Sequence, residues 1–223
     1  PGTADALFTT IAESGDCMRI PYSAFPLLLL PMLMGCGAVP VGDPMVADVQ
    51  VSQQTLRRID RQDAKGRTAL SHVVSARNLA LARDLIARGA SVNTADKTGM
   101  SPLMYAIRAN SKAMAQLLLD NGATVRAQTH TGHTPLLIAA ARGRSEIAGL
   151  LLSSGADING RSRENDTPLI LAAMYGHTGT ARLLIAHGAD VNAREVNGIT
   201  ALMMAADGGN LALVQALLAR GAE

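Results

Sequence analysis

The side chains able to do chemistry are few. The 223 residues hold two cysteines, Cys17 and Cys36, and five histidines. His130 and His133 stand three apart, a spacing that brings two imidazoles to one turn. A structural zinc site needs about four ligands, usually with thiolates among them. No cysteine follows Cys36 and no acid cluster surrounds the histidine pair, so no metal site is expected. The other histidines fall in separate segments, which leaves no Ser-His-Asp or Cys-His set to assemble and no catalytic residue to name. No cofactor is implied either. Cys36 is the one thiol with a suggestive setting. Met18-Arg19 opens a basic start, and an apolar run through Leu27–Leu30 to Met34 follows. That run is too short to span a bilayer, which takes roughly 20 apolar residues. A charged start, a short apolar stretch and a small residue before the cut describe a secretory leader.

Leu33-Met34-Gly35-Cys36 resembles the bacterial lipobox. The resemblance implies cleavage before Cys36 and acylation of its thiol and new amino group. Several acyl chains anchor firmly where one is marginal. Residues 18–35 are then the signal peptide, and 1–17 an upstream extension that is not native. Cys36 and the Pro- and Gly-containing stretch to residue 59 form a tether. Gly37 lacks the Asp that retains lipoproteins in the inner membrane, so an outer-membrane anchor facing the periplasm is expected.

Beyond the tether the chain is periodic. Gly-Ala recurs at 89–90, 122–123, 155–156, 188–189 and 221–222, and a Thr/Ser-Pro/Ala-Leu mark at 68–70, 101–103, 134–136, 167–169 and 200–202. Both keep a step of 33, which is read as a repeat array before any other feature. In the third copy Thr134 suits a helix N-cap, and Pro135 the first helical position, where no N–H is wasted. Leu136 to Ala140 supply an apolar run, and Gly143 breaks the helix. Ile147, Leu150, Leu151 and Leu152 form a second stripe, and Gly155 ends it in the left-handed region. Each unit is thus helix, turn, helix, then a β-turn or short hairpin. The fold class is all-α, a solenoid of about five helix-turn-helix units: 60–93, 94–126, 127–159, 160–192 and 193–223.

At these residues the chain resembles the ankyrin repeat family. The third copy carries it most fully, with Gly132-His133-Thr134-Pro135-Leu136, Ala139-Ala140, Gly143, Glu146-Ile147, Leu150-Leu151-Leu152 and Gly155-Ala156-Asp157-Ile158-Asn159. The resemblance covers residues 60–223 and implies stacked L-shaped units with a concave face that binds proteins. Two departures stand out. The His that follows Thr-Pro-Leu in the family is replaced by Ser71, Met104, Leu137, Ile170 and Met203, so packing must tie neighbouring units here. Asn165 replaces a turn glycine, a mild change because Asn tolerates left-handed backbone. Asp84, where later copies have Leu117, Leu150 and Leu183, fits an N-terminal capping repeat. The sequence begins with Pro and stops inside a motif, so truncation at both ends is expected.

The family places recognition on turn tips and on the exposed side of each first helix. The corresponding slots are Lys97, Met100 and Arg108 in copy two, and His133 and Arg142 in copy three. Copy four supplies Arg163, Met174 and Tyr175, and copy five Ile199 and Asp207. Tyr and Arg are enriched where interface energy concentrates. A patch of Tyr175, Met174, Arg142 and Arg108 is therefore expected, while Tyr105 is expected to pack partly against its neighbour. The chain has 20 basic and 18 acidic residues. Without Arg19, Asp5, Glu13 and Asp16 the counts are 19 and 15, a net +4. That modest, scattered charge argues against nucleic acid, which needs a dense basic stripe. The expected partner is another protein of the bacterial envelope, with no catalysis by this chain. The alternatives are regulation of one periplasmic enzyme, or a cytosolic or host-directed adaptor if the leader is no signal.

Overall fold

In the computed structural model, residues 59–223 are described. The expectations on residues 1–58, including the leader, the acylation of Cys36 and most of the tether, lie outside the described residues. Ten helices lie whole within them, in five pairs. These are α1 (Ala69–Ser75) with α2 (Leu79–Ala87), α3 (Pro102–Arg108) with α4 (Lys112–Asp120), and α5 (Pro135–Ala141) with α6 (Ser145–Ser153). The series ends with α7 (Pro168–Met174) and α8 (Thr178–Ala186), then α9 (Ala201–Asp207) and α10 (Leu211–Leu218). First helices pack on first helices, and second on second, so the pairs stack as a solenoid. None of the described helices is long and apolar enough to cross a membrane.

The periodic residues explain each element. Thr68, Ser101, Thr134, Thr167 and Thr200 all cap a first helix, each accepting the amide three residues on at 3.3–3.4 Å. Such a cap contributes about 1 kcal/mol. Asn78, Ser111 and Asn210 cap second helices in the same way. Arg144 and His177 hold that slot in copies three and four and give no side-chain cap. Asn165 does adopt positive φ, at 67°.

Leucine columns run through the stack at the same step. Leu70, Leu103, Leu136 and Leu169 are buried on the first-helix side, and Leu118, Leu151, Leu184 and Leu217 on the second. Each stabilises by about 1.5–3 kcal/mol relative to exposure. Between them run alanines, Ala106, Ala139, Ala172 and Ala205 in one column and Ala82, Ala115, Ala148 and Ala181 in another, all fully buried. A methyl side chain at these sites leaves room for helices to approach closely. The slot of the family's missing His is packed as expected. Met104, Leu137 and Ile170 are fully buried, and Met203 in the last copy is half exposed.

Polar joints reinforce the stack. Between second helix and finger, Asp60, Asn93, Asn159 and Asn192 each accept the amide 31 residues on, from Ser91, Thr124, Asp190 and Glu223. Arg126 occupies this slot at the end of copy two, so that joint is missing between copies two and three. The boundary between copies three and four gains in addition a Ser145–Thr180 hydroxyl pair at 2.7 Å and His177, whose Nε2 meets the Ala141 carbonyl at 3.2 Å.

A candidate protein-binding groove

The finger at the tip of each unit is built from one polar residue. Asp63, Asp96, Thr129, Ser162 and Glu195 stand 33 apart, and each accepts amides of its own turn. Asp96 Oδ1 takes the Thr98 and Met100 amides at 2.8 and 2.9 Å. Glu195 Oε1 does the same for Asn197 and Ile199. Two backbone bonds close each loop, as in Asp96 N to Met100 O at 3.0 Å and Gly99 N to Asp96 O at 2.9 Å. Copy five alone adds a β-bridge, Arg194 to Thr200, so the expected hairpins are turns with little ladder.

Fingers are then tied to one another. The Lys97, His130, Arg163 and Val196 amides donate to the carbonyls of Lys65, Thr98, Thr131 and Glu164 at 3.0–3.2 Å. Each bond joins one copy to the next. The row of tips is thus a continuous backbone-bonded edge, and it presents side chains in register beside the first helices.

In copies one and two the spare carboxylate oxygen of the turn Asp reaches back to the first helix. Asp63 Oδ2 meets His72 Nε2 at 3.0 Å and the Arg67 guanidinium at 2.9 Å. Asp96 Oδ2 accepts the Tyr105 hydroxyl at 2.5 Å. The Arg67 amide, above all, holds the Asp63 pKa far below the ordinary carboxylate range, with the Arg67 and His72 side chains adding to it against some desolvation. Burial pushes the Asp96 pKa up, and the hydrogen bonds from Tyr105, Thr98 and Met100 more than reverse this, so it too ends below its ordinary value. Burial and then the Asp96 contact push the Tyr105 phenol up to about 12. Both Asp–ring pairs are nine residues apart, a regularity the sequence shows plainly once the turn role of Asp is known. Copies three to five put Ile138, Leu171 and Met204 in the ring's slot.

Between the fingers and first helices of copies one to three lies a groove of about 710 Å³. Three of the sequence-predicted contact residues, Lys97, Arg108 and Arg142, line it and are exposed. Met100 lines it too, but not as a projecting contact. It is only 8% exposed, because its amide is bound by Asp96 and its side chain lies beneath the finger. That corrects its assignment to an exposed tip. Lys65, Arg67 and Tyr105 join the groove, and sequence reasoning had not placed them there. Six predicted residues lie outside it. Arg163 and Asp207 are exposed, and His133 and Ile199 are half-buried. The Thr131 hydroxyl occupies His133 Nδ1 at 2.7 Å. Met174 and Tyr175 are 42% and 57% exposed. Tyr175 leans on His177 with ring centroids 6.4 Å apart. The expected patch is therefore divided. Arg108 and Arg142 share the groove, and Met174 and Tyr175 do not line it.

The repeating unit, its caps, its finger and its stacking bonds all point to one family, and the sequence comparison agrees. A family model described as ankyrin repeats (3 copies) matches residues 38–129 and 136–223. The chain belongs to the ankyrin repeat family. No curated protein matches it. Ankyrin repeats support a role in protein–protein interaction, and the groove is an open surface of that kind, lined by residues that differ from copy to copy over a framework that does not.

Proposed function

We propose that this ankyrin repeat protein is an adaptor of the bacterial envelope. It is anchored through an acylated Cys36, with its repeats facing the periplasm, and it binds an envelope protein without catalysis of its own. The observation that carries the binding half is the groove. Exposed, copy-specific side chains stand over leucine and alanine columns that repeat unchanged. Packing holds the framework constant and leaves the face free to be specific. The anchoring half rests on the basic start, apolar run and Leu33-Met34-Gly35-Cys36 sequence. Outer-membrane attachment follows from Gly37, which does not supply the inner-membrane retention signal.

Metabolic labelling with a palmitate analogue, followed by membrane fractionation, tests the anchor. Label and membrane retention should both vanish in Cys36→Ala. An unlabelled native chain in the cytosolic fraction would refute it. Crosslinking in intact cells tests the adaptor role. An envelope protein should crosslink to a photoreactive residue at position 142 and not to one at Arg220, beyond the last helix.

A further inference from the structure

We infer that the groove of copies one to three receives an acidic segment of the partner protein, a short stretch rich in Asp or Glu. The inference rests on the protein-binding reading above and names the chemistry of what binds. Five cations line the groove, Lys65, Arg67, Lys97, Arg108 and Arg142, against one carboxylate, Asp96. That carboxylate is already committed. One oxygen takes the Thr98 amide and hydroxyl and the Met100 amide, and the other takes the Tyr105 hydroxyl. Asp63 pairs with Arg67. Among the described residues, no carboxylate lies within ion-pair distance of Lys65, Lys97, Arg108 or Arg142. Four cations thus face one open groove with their charge unanswered.

The origin of those cations favours an extended ligand. They come from two fingers and two helix ends in three successive repeats, so they do not surround one point as a phosphate cage would. The groove volume suits a short segment, since pockets of about 300–1,000 Å³ hold ligands of that scale. Charge in the array is also uneven. In copies four and five the slots of Lys65 and Arg108 hold the exposed acids Glu164 and Asp207, and Arg163 stands as a cation in the slot of Lys97. An acidic segment is therefore drawn more strongly to one end of the array than to the other, which sets its position as well as its on-rate.

The test uses the full chain and a fluorescein-labelled hexaglutamate peptide, read by anisotropy, with hexaglutamine as the neutral control. Hexaglutamate should bind and hexaglutamine should not, with affinity falling as salt rises. Arg108→Gln with Arg142→Gln should weaken binding by about tenfold or more, and Arg220→Gln beyond the last helix should leave it unchanged. Circular dichroism melts identify any variant that has lost its fold, and Lys97→Gln, at an exposed finger tip, serves in its place. Equal binding by the double variant overturns the inference. So does inorganic phosphate displacing the peptide at matched charge, or a peptide crosslink to copies four and five. If the peptide fails while position 142 still crosslinks an envelope protein, the acidic-ligand inference falls and the adaptor reading stands.

Discussion

Two glycines with nearly identical backbone test how much of the stability lies between repeats. Gly99, at the finger of copy two, has φ +83°, and Gly122, after α4, has φ +82°. An added Cβ at Gly122 meets nothing within 4 Å. At Gly99 it would stand 2.8 Å from Thr129 Cα and 3.0 Å from His130 N, both backbone of the next finger. Left-handed backbone costs an alanine about 1–2 kcal/mol, and the less flexible unfolded chain returns about 0.4–1. Gly122→Ala should therefore destabilise by about 1 kcal/mol. Gly99→Ala carries that strain and must also push two fingers apart. Overpacking adds about 1–3 kcal/mol, and stretching the His130 N to Thr98 O bond, 3.0 Å long, costs about 1 more. A total of about 3–5 kcal/mol follows for Gly99→Ala. Urea unfolding followed by circular dichroism should separate the two variants by about 2 kcal/mol or more, read from the midpoints at constant slope. Equal losses, within about 0.5 kcal/mol, would refute the claim that stacked fingers hold neighbouring repeats in register.

Three further outcomes follow from the joints and turns. Tyr105→Phe removes the phenol that Asp96 holds. A charge-assisted bond of this kind, discounted for its partial exposure, contributes about 0.5–1 kcal/mol at neutral pH. The Tyr105 contribution is fully present below the ordinary phenol value of 10 and is lost as pH rises toward about 12. The Asp96 contribution is present above its ordinary 3.8 and is lost as pH falls below it. The variant should flatten both limbs of a stability–pH curve, and unchanged limbs would sink the pairing. Arg77 sits at φ 59° where Gly143, Gly176 and Gly209 occupy the same turn in later copies. Arg77→Gly should stabilise by about 0.5–1 kcal/mol in thermal or urea melts, because relief of left-handed strain exceeds the added chain entropy. Arg126→Asn should restore the missing joint to the Asp157 amide and raise stability by about 0.5–1.5 kcal/mol. Amide exchange should slow most in copies two and three, and exchange unchanged there would contradict the joint's role.

The joints also bear on how the array comes apart. Each repeat touches only its neighbours, so stability is close to a sum of unit and interface terms. The boundary between copies two and three lacks the Asn joint, and the second helix of copy three lacks a side-chain cap as well. The Arg144 Nε is buried there without a partner. That boundary is where the stack should open first, and the acidic-ligand groove crosses it.

Much of the fold was legible in the sequence because its causes are local. A Thr followed by Pro starts a helix through the side-chain oxygen and the ring's fixed φ, whatever surrounds it. Leu and Ala at a step of 33 must face the same neighbours in every copy once units stack. Even the left-handed Asn165 could be read from the side chain alone. The site was a different matter. Lys65, Lys97, Arg108 and Arg142 belong to three repeats, and only the stacking geometry brings them to one groove. The same geometry leaves Tyr175 and Met174 outside it and turns Met100 beneath its own finger. Asp96 looks in the sequence like a counter-charge for those cations. It is spent instead on two amides and two hydroxyls, a fact set by the fold of a five-residue turn against a helix. Period and capping are written into neighbouring residues, while charge balance depends on which distant side chains share a space, and tertiary structure alone decides that.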